Sequence, residues 1–281
     1  MHKSINLRSF PPDMAVRDML RLAREAGFHA VEINLESWFP YPLDSSPEQL
    51  RTLAQMVEDE GLAISGVYCR DQWNHPITSP DPATRERGMA IIRRLCRAAP
   101  LLKTDSVLVA TGGVDNGVLA HNRYIVPYMA AYENAQQSLR LLAEETAGPL
   151  GVILGVENVW NKFLLSPLEM RRFLDEIGHP NVRAYFDVGN ALLFGFPEDW
   201  IRILGPRIFR VHFKDYKLSV GTWSGFTHLL DGDVNWPAVV AALREVGYAS
   251  YVTAEIEPKG DFAGERLVRE TGRQMDVILS Y

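Results

Sequence analysis

The chain has 281 residues, of which 47% are hydrophobic and 23% charged, a composition typical of a globular protein. Its formal net charge is −6 and its Lys and Arg residues are scattered, so it lacks the basic patch typical of nucleic-acid binding. There are only two cysteines and they have no CxxC spacing, which excludes a disulfide framework. The sequence has no run of about 18 apolar residues, so no membrane span is predicted. We therefore expect a cytoplasmic protein with a small-molecule partner and no nucleic-acid or membrane partner.

Short runs of β-branched and aromatic residues alternate with longer amphipathic stretches, which is the pattern of a parallel sheet with crossover helices. The predicted strands are Ile5–Arg8, Ala30–Leu35, Ala63–Tyr68, Ser106–Ala110, Val152–Glu157, Val182–Asp187, Ile208–His212 and Tyr251–Ile256. The predicted helices are Met14–Ala26, Pro47–Glu60, Pro82–Ala99, Tyr124–Thr146, Pro167–Ile177, Pro197–Leu204, Pro237–Val246 and Glu265–Leu279. Five of these helices begin at or near a proline, whose fixed φ suits the first helical turn.

Eight strands that alternate with eight helices are compatible with an open doubly wound sheet or with a closed barrel. No GxGxxG follows the first strand and no P-loop is present, so the nucleotide-binding forms of the open sheet lose support. No linker or low-complexity tract marks a domain boundary. We therefore predict an α/β fold, a single (β/α)₈ TIM-barrel domain over residues 1–281.

Four side chains of the kind that bind metals stand at the C-terminal ends of four successive predicted strands: Glu157, Asp187, His212 and Glu255. In a barrel these strand ends meet at one mouth, which is where active sites are built. Each residue alone is more simply explained as a helix N-cap, a loop acid or a hydrogen-bonded histidine. Their joint occurrence at the same end of consecutive strands instead predicts one site.

Three carboxylates at one site would repel each other, and a divalent cation would supply the missing positive charge. Three oxygen ligands and one nitrogen ligand suit Mn²⁺ best in our interpretation, and Mg²⁺, Co²⁺ and Zn²⁺ are also compatible with them. The sequence therefore predicts a single divalent metal ion as cofactor.

Segments in the second half of the chain resemble the sugar-phosphate isomerase/epimerase superfamily, whose members have a xylose-isomerase-like barrel. The resemblance is carried by residues 156–163 (Val-Glu-Asn-Val-Trp-Asn-Lys-Phe), 185–190 (Tyr-Phe-Asp-Val-Gly-Asn), 211–215 (Val-His-Phe-Lys-Asp) and 230–236 (Leu-Asp-Gly-Asp-Val-Asn-Trp). The superfamily includes ketose 3-epimerases, pentulose-phosphate 3-epimerases, hydroxypyruvate isomerase and inosose dehydratase. The resemblance implies metal ligation by the same four residues, with Glu157 and Glu255 as catalytic acid and base.

The activity that this resemblance implies is isomerisation or epimerisation of a ketose or ketose phosphate. A metal near the carbonyl would stabilise the cis-enediolate that forms when the neighbouring proton leaves. Return of a proton to the opposite face gives an epimerase, whereas transfer of the proton between carbons gives an isomerase. Loss of a β-hydroxyl instead gives an inosose-type dehydratase, and a metal- or sugar-binding barrel without turnover is a further alternative.

The sequence departs from the family pattern at several positions near the predicted mouth. Asn190 stands where the epimerases of free sugars have a histidine, and no arginine occurs between Lys214 and Gly225. The usual double-glycine turn is replaced by Asp231-Gly232-Asp233, whose acids disfavour a phosphate there. These departures leave the sugar and its phosphorylation state open.

We predict four substrate-binding residues, which are His75, Asn161, Asn190 and Lys214. For each the alternative is a structural role, as a loop-capping residue or a solvated loop cation. An apurinic-site endonuclease is disfavoured because those enzymes use several more histidines and a basic DNA-facing surface. Superfamily members often form dimers or tetramers, so the resemblance is also compatible with a homo-oligomer.

Overall fold

The computed structural model describes residues 1–115, 123–258 and 264–281. Its barrel strands are β1 (His2–Asn6), β2 (Ala30–Asn34), β3 (Ala63–Tyr68), β4 (Ser106–Val109), β5 (Ile153–Glu157), β6 (Val182–Asp187), β7 (Ile208–Phe213) and β10 (Tyr251–Ala254). They are parallel and close in the order β1-β10-β7-β6-β5-β4-β3-β2. The predicted eight-stranded barrel is therefore confirmed.

The helices are α1 (Val16–Glu25), α2 (Pro47–Asp59), α3 (Pro82–Leu101), α4 (Tyr128–Leu142), α5 (Pro167–Ile177), α6 (Val188–Leu192), α7 (Pro197–Leu204), α8 (Trp236–Glu245) and α9 (Gly264–Ser280). All except the short α6 correspond to predicted helices. The sequence did not predict α6, nor the small antiparallel hairpin of β8 (Asp215–Tyr216) and β9 (Phe226–Thr227).

The helices begin where local chemistry can satisfy their free N–H groups. Ser46 makes a capping box with Gln49 at the start of α2, and Ser166 accepts a hydrogen bond from Glu169 N at the start of α5. Proline occupies the first turn of α2, α3, α5, α7 and α8, as predicted. At the other end of α5, Gly178 has φ 69°, a left-handed conformation that glycine adopts without steric cost.

Some predicted boundaries differ from the observed ones, most clearly at β1 and α4. Strand β1 covers His2–Asn6 rather than Ile5–Arg8, because polar Lys3 is buried between β2 and β10 and binds Asp276 at 2.5 Å. Helix α4 begins at Tyr128 rather than Tyr124, because Pro127 disfavours helical backbone in the residue before it.

The interior of the barrel is polar at its N-terminal end. The layer between the strands and the surrounding helices is apolar. Arg210 donates through Nε to Ser65 O at 2.9 Å and binds Asp105 at 2.7 Å, so it plugs this lower end. No helix of the described residues is long and apolar enough to cross a membrane. A cavity opens at the opposite, C-terminal end of the barrel, where Glu157 and Glu255 line it.

The strand order and register bring the candidate metal residues together. Strands β5, β6, β7 and β10 are consecutive around the barrel. Asp187 at the end of β6 pairs in register with His212 of β7, and His212 pairs with Thr253, two residues before Glu255. Because parallel strands point the same way, their C-terminal residues meet at one edge.

Candidate active site

Four side chains from consecutive strands form a compact group at the C-terminal mouth. Glu157 ends β5, Asp187 ends β6, His212 lies in β7 and Glu255 follows β10. Each offers a ligand atom, and these atoms all lie within 4.8 Å of one another. The predicted convergence is therefore confirmed.

The ring of His212 lies at the centre of this group. Its Nδ1 is 3.1 Å from Glu255 Oε2, 3.4 Å from Glu157 Oε1 and 3.7 Å from Asp187 Oδ2. Asp187 and His212 are almost fully buried, whereas the two glutamates keep some exposure to the cavity above them. The glutamates thus form the accessible part of the group.

His212 is held from below by Glu32 of β2. The carboxylate of Glu32 is fully buried and lies 3.0 Å (Oε2) and 3.2 Å (Oε1) from His212 Nε2. Asn6 Nδ2 donates to Glu32 Oε2 at 2.6 Å, and the Tyr185 hydroxyl makes a short hydrogen bond to Oε1. A ring that donates through Nε2 turns Nδ1 towards the three other carboxylates, so Glu32 is a positioning residue for His212.

Asp187 is fixed by a set of amide hydrogen bonds. Its Oδ1 accepts from Asn190 N at 2.7 Å, which caps the short helix α6. Asn158 clamps the backbone of Asp187 through its side-chain amide, donating to Asp187 O at 2.9 Å and accepting from Asp187 N at 2.8 Å. Asn190 Nδ2 in turn donates to Asn158 O at 2.9 Å. Oδ1 of Asp187 is therefore used in structural hydrogen bonding, whereas Oδ2 of Asp187 is directed at His212.

Lys214 is the cation nearest to this group in the part of the chain that the structure describes. Its Nζ lies 2.5 Å from Glu255 Oε2 and 3.0 Å from Asp187 Oδ2, and 5.7 Å from the ring centroid of Phe226. Burial lowers the pKa of Lys214, but the carboxylates of Asp187, Glu255 and Glu157 outweigh it and hold this pKa well above its usual range. Lys214 therefore stays charged.

The two glutamates differ in their electrostatic surroundings. Burial raises the pKa of Glu157, and the nearby His212 and Lys214 only partly compensate. Burial also raises the pKa of Glu255, but Lys214 and His212 outweigh that effect and hold it well below its usual range. The difference follows the contacts, since Lys214 lies against Glu255.

The donor set fits a divalent metal ion. Asp187 Oδ2, His212 Nδ1 and Glu255 Oε2 are buried atoms that make ion-pair contacts with their neighbours but no well-oriented hydrogen bond. Burial lowers the pKa of His212, but Glu32, Tyr185 and Glu255 outweigh it and raise this pKa well above its usual range. A cation in place of the Nδ1 proton would satisfy all three atoms. Three carboxylates and one imidazole thus could hold one divalent metal ion.

A cavity opens above the group and includes two of the four predicted substrate-binding residues. Asn190 and Lys214 line it. Asn161 is buried outside the cavity lining, where it donates to Gly112 O at 2.6 Å and accepts from Phe163 N. His75 also lies outside the lining, with Nε2 3.8 Å from Asp71. Substrate contact by any of the four stays a prediction, and Asn161 and His75 have structural partners instead.

Sequence reasoning missed several residues that line the cavity, among them Trp223, Phe226, Arg8 and Arg70. An aromatic wall is formed by Trp160, Tyr216, Trp223 and Phe226, with ring centroids 4.9–5.8 Å apart in the contacting pairs. Only Trp223 and Phe226 of this wall line the cavity, and they come from the hairpin region that was not predicted. Arg8 and Arg70, which follow β1 and β3, also line it. Their position just after a strand was the available signal.

The chain is similar in sequence to known proteins over about half to most of its length. It is 24% identical over 247 residues to L-ribulose-5-phosphate 3-epimerase UlaE of Salmonella paratyphi C, covering 86% of this chain and 82% of that one. It is 26% identical over 154 residues to an uncharacterized protein of Methanocaldococcus jannaschii, and that match spans 49% of this chain and 50% of the relative.

Solved structures share the fold at lower sequence identity. D-psicose 3-epimerase from Clostridium cellulolyticum H10 superposes with a TM-score of 0.80 at 18% identity, covering 99% of each chain. An L-ribulose 3-epimerase gives 0.81 at 19% identity, covering 99% of this chain and 94% of that one. The family model described as "Xylose isomerase-like TIM barrel" matches residues 20–276. The chain therefore belongs to the xylose isomerase-like TIM barrel family.

Proposed function

We propose that this protein is a divalent-metal-dependent isomerase or epimerase of a ketose or ketose phosphate. The observation that carries the proposal is the pair of accessible glutamates, Glu157 and Glu255, on either side of His212 and Asp187 at the mouth. The proposal is supported by the similarity to proteins whose names state sugar 3-epimerase activity.

The proposed residue roles follow from the placement of the four strands. Glu157 ends β5 and Glu255 directly follows β10, and these are the two outer strands of the group, so a substrate between the glutamates would meet one carboxylate on each side. One carboxylate would remove the proton next to the carbonyl, and the other would return a proton to the opposite face, which inverts the carbon. Asp187 and His212, held by Asn158 and Glu32, would keep the site rigid.

Glu157, Asp187, His212 and Glu255 would also hold the metal ion, with Mn²⁺ the metal we expect. When bound, a divalent cation supplies positive charge that polarises the carbonyl and favours loss of the neighbouring proton. Lys214, charged and beside Glu255, would orient this carboxylate and donate a hydrogen bond to a substrate oxygen. The aromatic residues Trp223 and Phe226 would cover one side of the sugar and exclude water.

The test is deuterium exchange in D₂O with Mn²⁺-loaded protein and a panel of ketoses and ketose phosphates, followed by proton NMR. We expect deuterium at a carbon next to the carbonyl, and a loss of at least about 100-fold in rate in Glu157→Gln and Glu255→Gln. Glu48→Gln, an exposed acid on α2, is the matched control. Metal content of each variant is measured separately, so that loss of the metal is distinguished from loss of a proton-transfer group.

The labelled position and the product separate the three reactions of this chemistry. Label with inversion at one carbon indicates an epimerase, and label with an aldose product indicates an isomerase. Label with loss of water indicates a dehydratase. Stoichiometric metal without exchange on any member of the panel would contradict the proposed function.

A further inference from the structure

Two arginines stand on the side of the mouth that faces the candidate metal group. Arg8 follows β1 and Arg70 follows β3, and these strands are the two neighbours of β2. In the closed order of eight strands, β2 lies opposite β6, which carries Asp187. Both arginines line the same cavity as Glu157 and Glu255. A molecule that spans the cavity would therefore meet the carboxylates at one end and the arginines at the other.

The donors of these arginines are mostly uncommitted. Arg70 is exposed and makes no ion pair or side-chain hydrogen bond within the described residues. Arg8 has Glu36 as its ion-pair partner, at a long 4.0 Å, while Glu36 also accepts a hydrogen bond from Trp38 at 2.7 Å. A guanidinium carries five N–H donors, so both side chains retain the capacity to bind an oxyanion.

A third polar group on this side is also unsatisfied. Asn34 ends β2, between the strands that precede the two arginines, and it is fully buried. Neither atom of its side-chain amide has a hydrogen-bond partner among the described residues. Because side chains alternate along a strand, Asn34 lies on the same face of β2 as Glu32, which points into the barrel, and two residues nearer the mouth. Buried amides are normally paired, so Asn34, which is not among the lining residues of the cavity, leaves unused hydrogen-bonding capacity between the strands that precede the two arginines.

The remaining acids of the cavity offer little opposition to an anion on this side. Glu157 and Glu255 belong to the candidate metal group, and Asp215 is occupied by Trp236 Nε1 at 2.9 Å and by backbone N–H groups. Among the described lining residues this leaves Glu257, an exposed side chain beyond β10, as the one uncommitted acid. The two arginines thus meet one exposed glutamate of the lining, besides Glu36 outside it at 4.0 Å from Arg8, and this balance favours binding of an anion.

We infer that Arg8 and Arg70 form a subsite for a terminal oxyanion of the substrate, a phosphate or a carboxylate, at the end remote from the reacting carbon. The planar guanidinium binds both groups through paired charge-assisted hydrogen bonds. The segment between β9 and α8 instead carries two acids, Asp231, which lies 3.4 Å from Lys217, and Asp233, which accepts from Leu218 N. The arginine side is thus the place for the anionic end.

That the bound anion belongs to a substrate rests on the proposed function. Binding of an anion by Arg8 and Arg70 can be tested without turnover. The probe is inorganic phosphate, titrated calorimetrically into metal-free protein at low ionic strength. We expect saturable binding that weakens about tenfold or more in Arg8→Gln and in Arg70→Gln, since charge-assisted bonds are among the strongest. Arg51→Gln, an exposed arginine on the outer helix α2, should bind phosphate as the unaltered protein does.

A second arm measures deuterium exchange with a ketose, its terminal phosphate and the matching sugar acid. We expect a preference for an anionic compound that falls at least about tenfold in either arginine variant, and the compound preferred identifies phosphate or carboxylate. No phosphate binding, or binding indifferent to both arginines, would overturn the subsite even if exchange occurs. Arginine-dependent phosphate binding without any exchange would preserve the subsite and contradict the proposed function.

Discussion

Replacement of Glu32 by glutamine should weaken metal binding although Glu32 is not a candidate ligand. Three donors converge on the two oxygens of this buried carboxylate, namely Asn6 Nδ2, the Tyr185 hydroxyl and His212 Nε2. Glutamine keeps one acceptor oxygen and replaces the other by an NH₂ group, so at least one donor would face another donor. His212 would then lose the contact that turns Nδ1 towards the other carboxylates.

The size of the effect follows from this loss of orientation. Removal of the outer partner of a metal-binding histidine lowers metal affinity by about 10- to 100-fold, which corresponds to about 1.4–2.7 kcal/mol. The mispaired donor should also lower the free energy of unfolding by about 1–3 kcal/mol, because a buried polar group left unsatisfied loses its hydration without compensation.

Isothermal titration with Mn²⁺ measures the affinity, and thermal unfolding in the presence of EDTA measures the folding cost separately. Tyr185→Phe is the matched control, because it removes one donor to Glu32 and leaves the Glu32–His212 contact in place. We expect a smaller loss of metal affinity in this control. A folded Glu32→Gln protein that binds Mn²⁺ as tightly as the unaltered protein would refute the positioning role of Glu32.

Three further predictions test the ligand set, the thiols and the packing. Asp187→Asn should stay folded, because asparagine also caps a helix, but should lose metal affinity by more than about 100-fold, measured by titration calorimetry and circular dichroism. Burial raises the pKa of Cys69 to about 11 and that of Cys96 to about 12, so Ellman's reagent at pH 8 should find almost no thiolate until guanidinium unfolds the chain. Gly88→Ala would place a Cβ 2.0 Å from His75 O and should destabilise the protein by about 1–3 kcal/mol in chemical denaturation; an unchanged midpoint would contradict that packing.

The sequence predicted the fold and the metal group because both depend on local, repeated signals. Proline in the first turn marks a helix start wherever it occurs, and this prediction was confirmed at α2 and α5. Glu157 and Asp187 each end a strand, so the topology alone brings them together. The strand β1 was misplaced because Lys3 is buried only through its pairing with Asp276 and its neighbours, a contact more than 250 residues away in sequence.

The same topology explains why Glu32 and the arginines were harder to interpret. Glu32 and Glu157 both follow a valine near the end of a strand, but Glu157 is the last residue of β5, whereas Glu32 lies two residues before the end of β2. Two residues along a strand separate the mouth from the layer beneath it, so one carboxylate faces the cavity and the other faces His212. A strand-end pattern in a sequence is uncertain by about that distance. The type of a residue near a barrel mouth thus indicates which contacts its side chain can make. Its position along the strand decides whether the side chain faces the cavity or contacts another side chain inside the barrel.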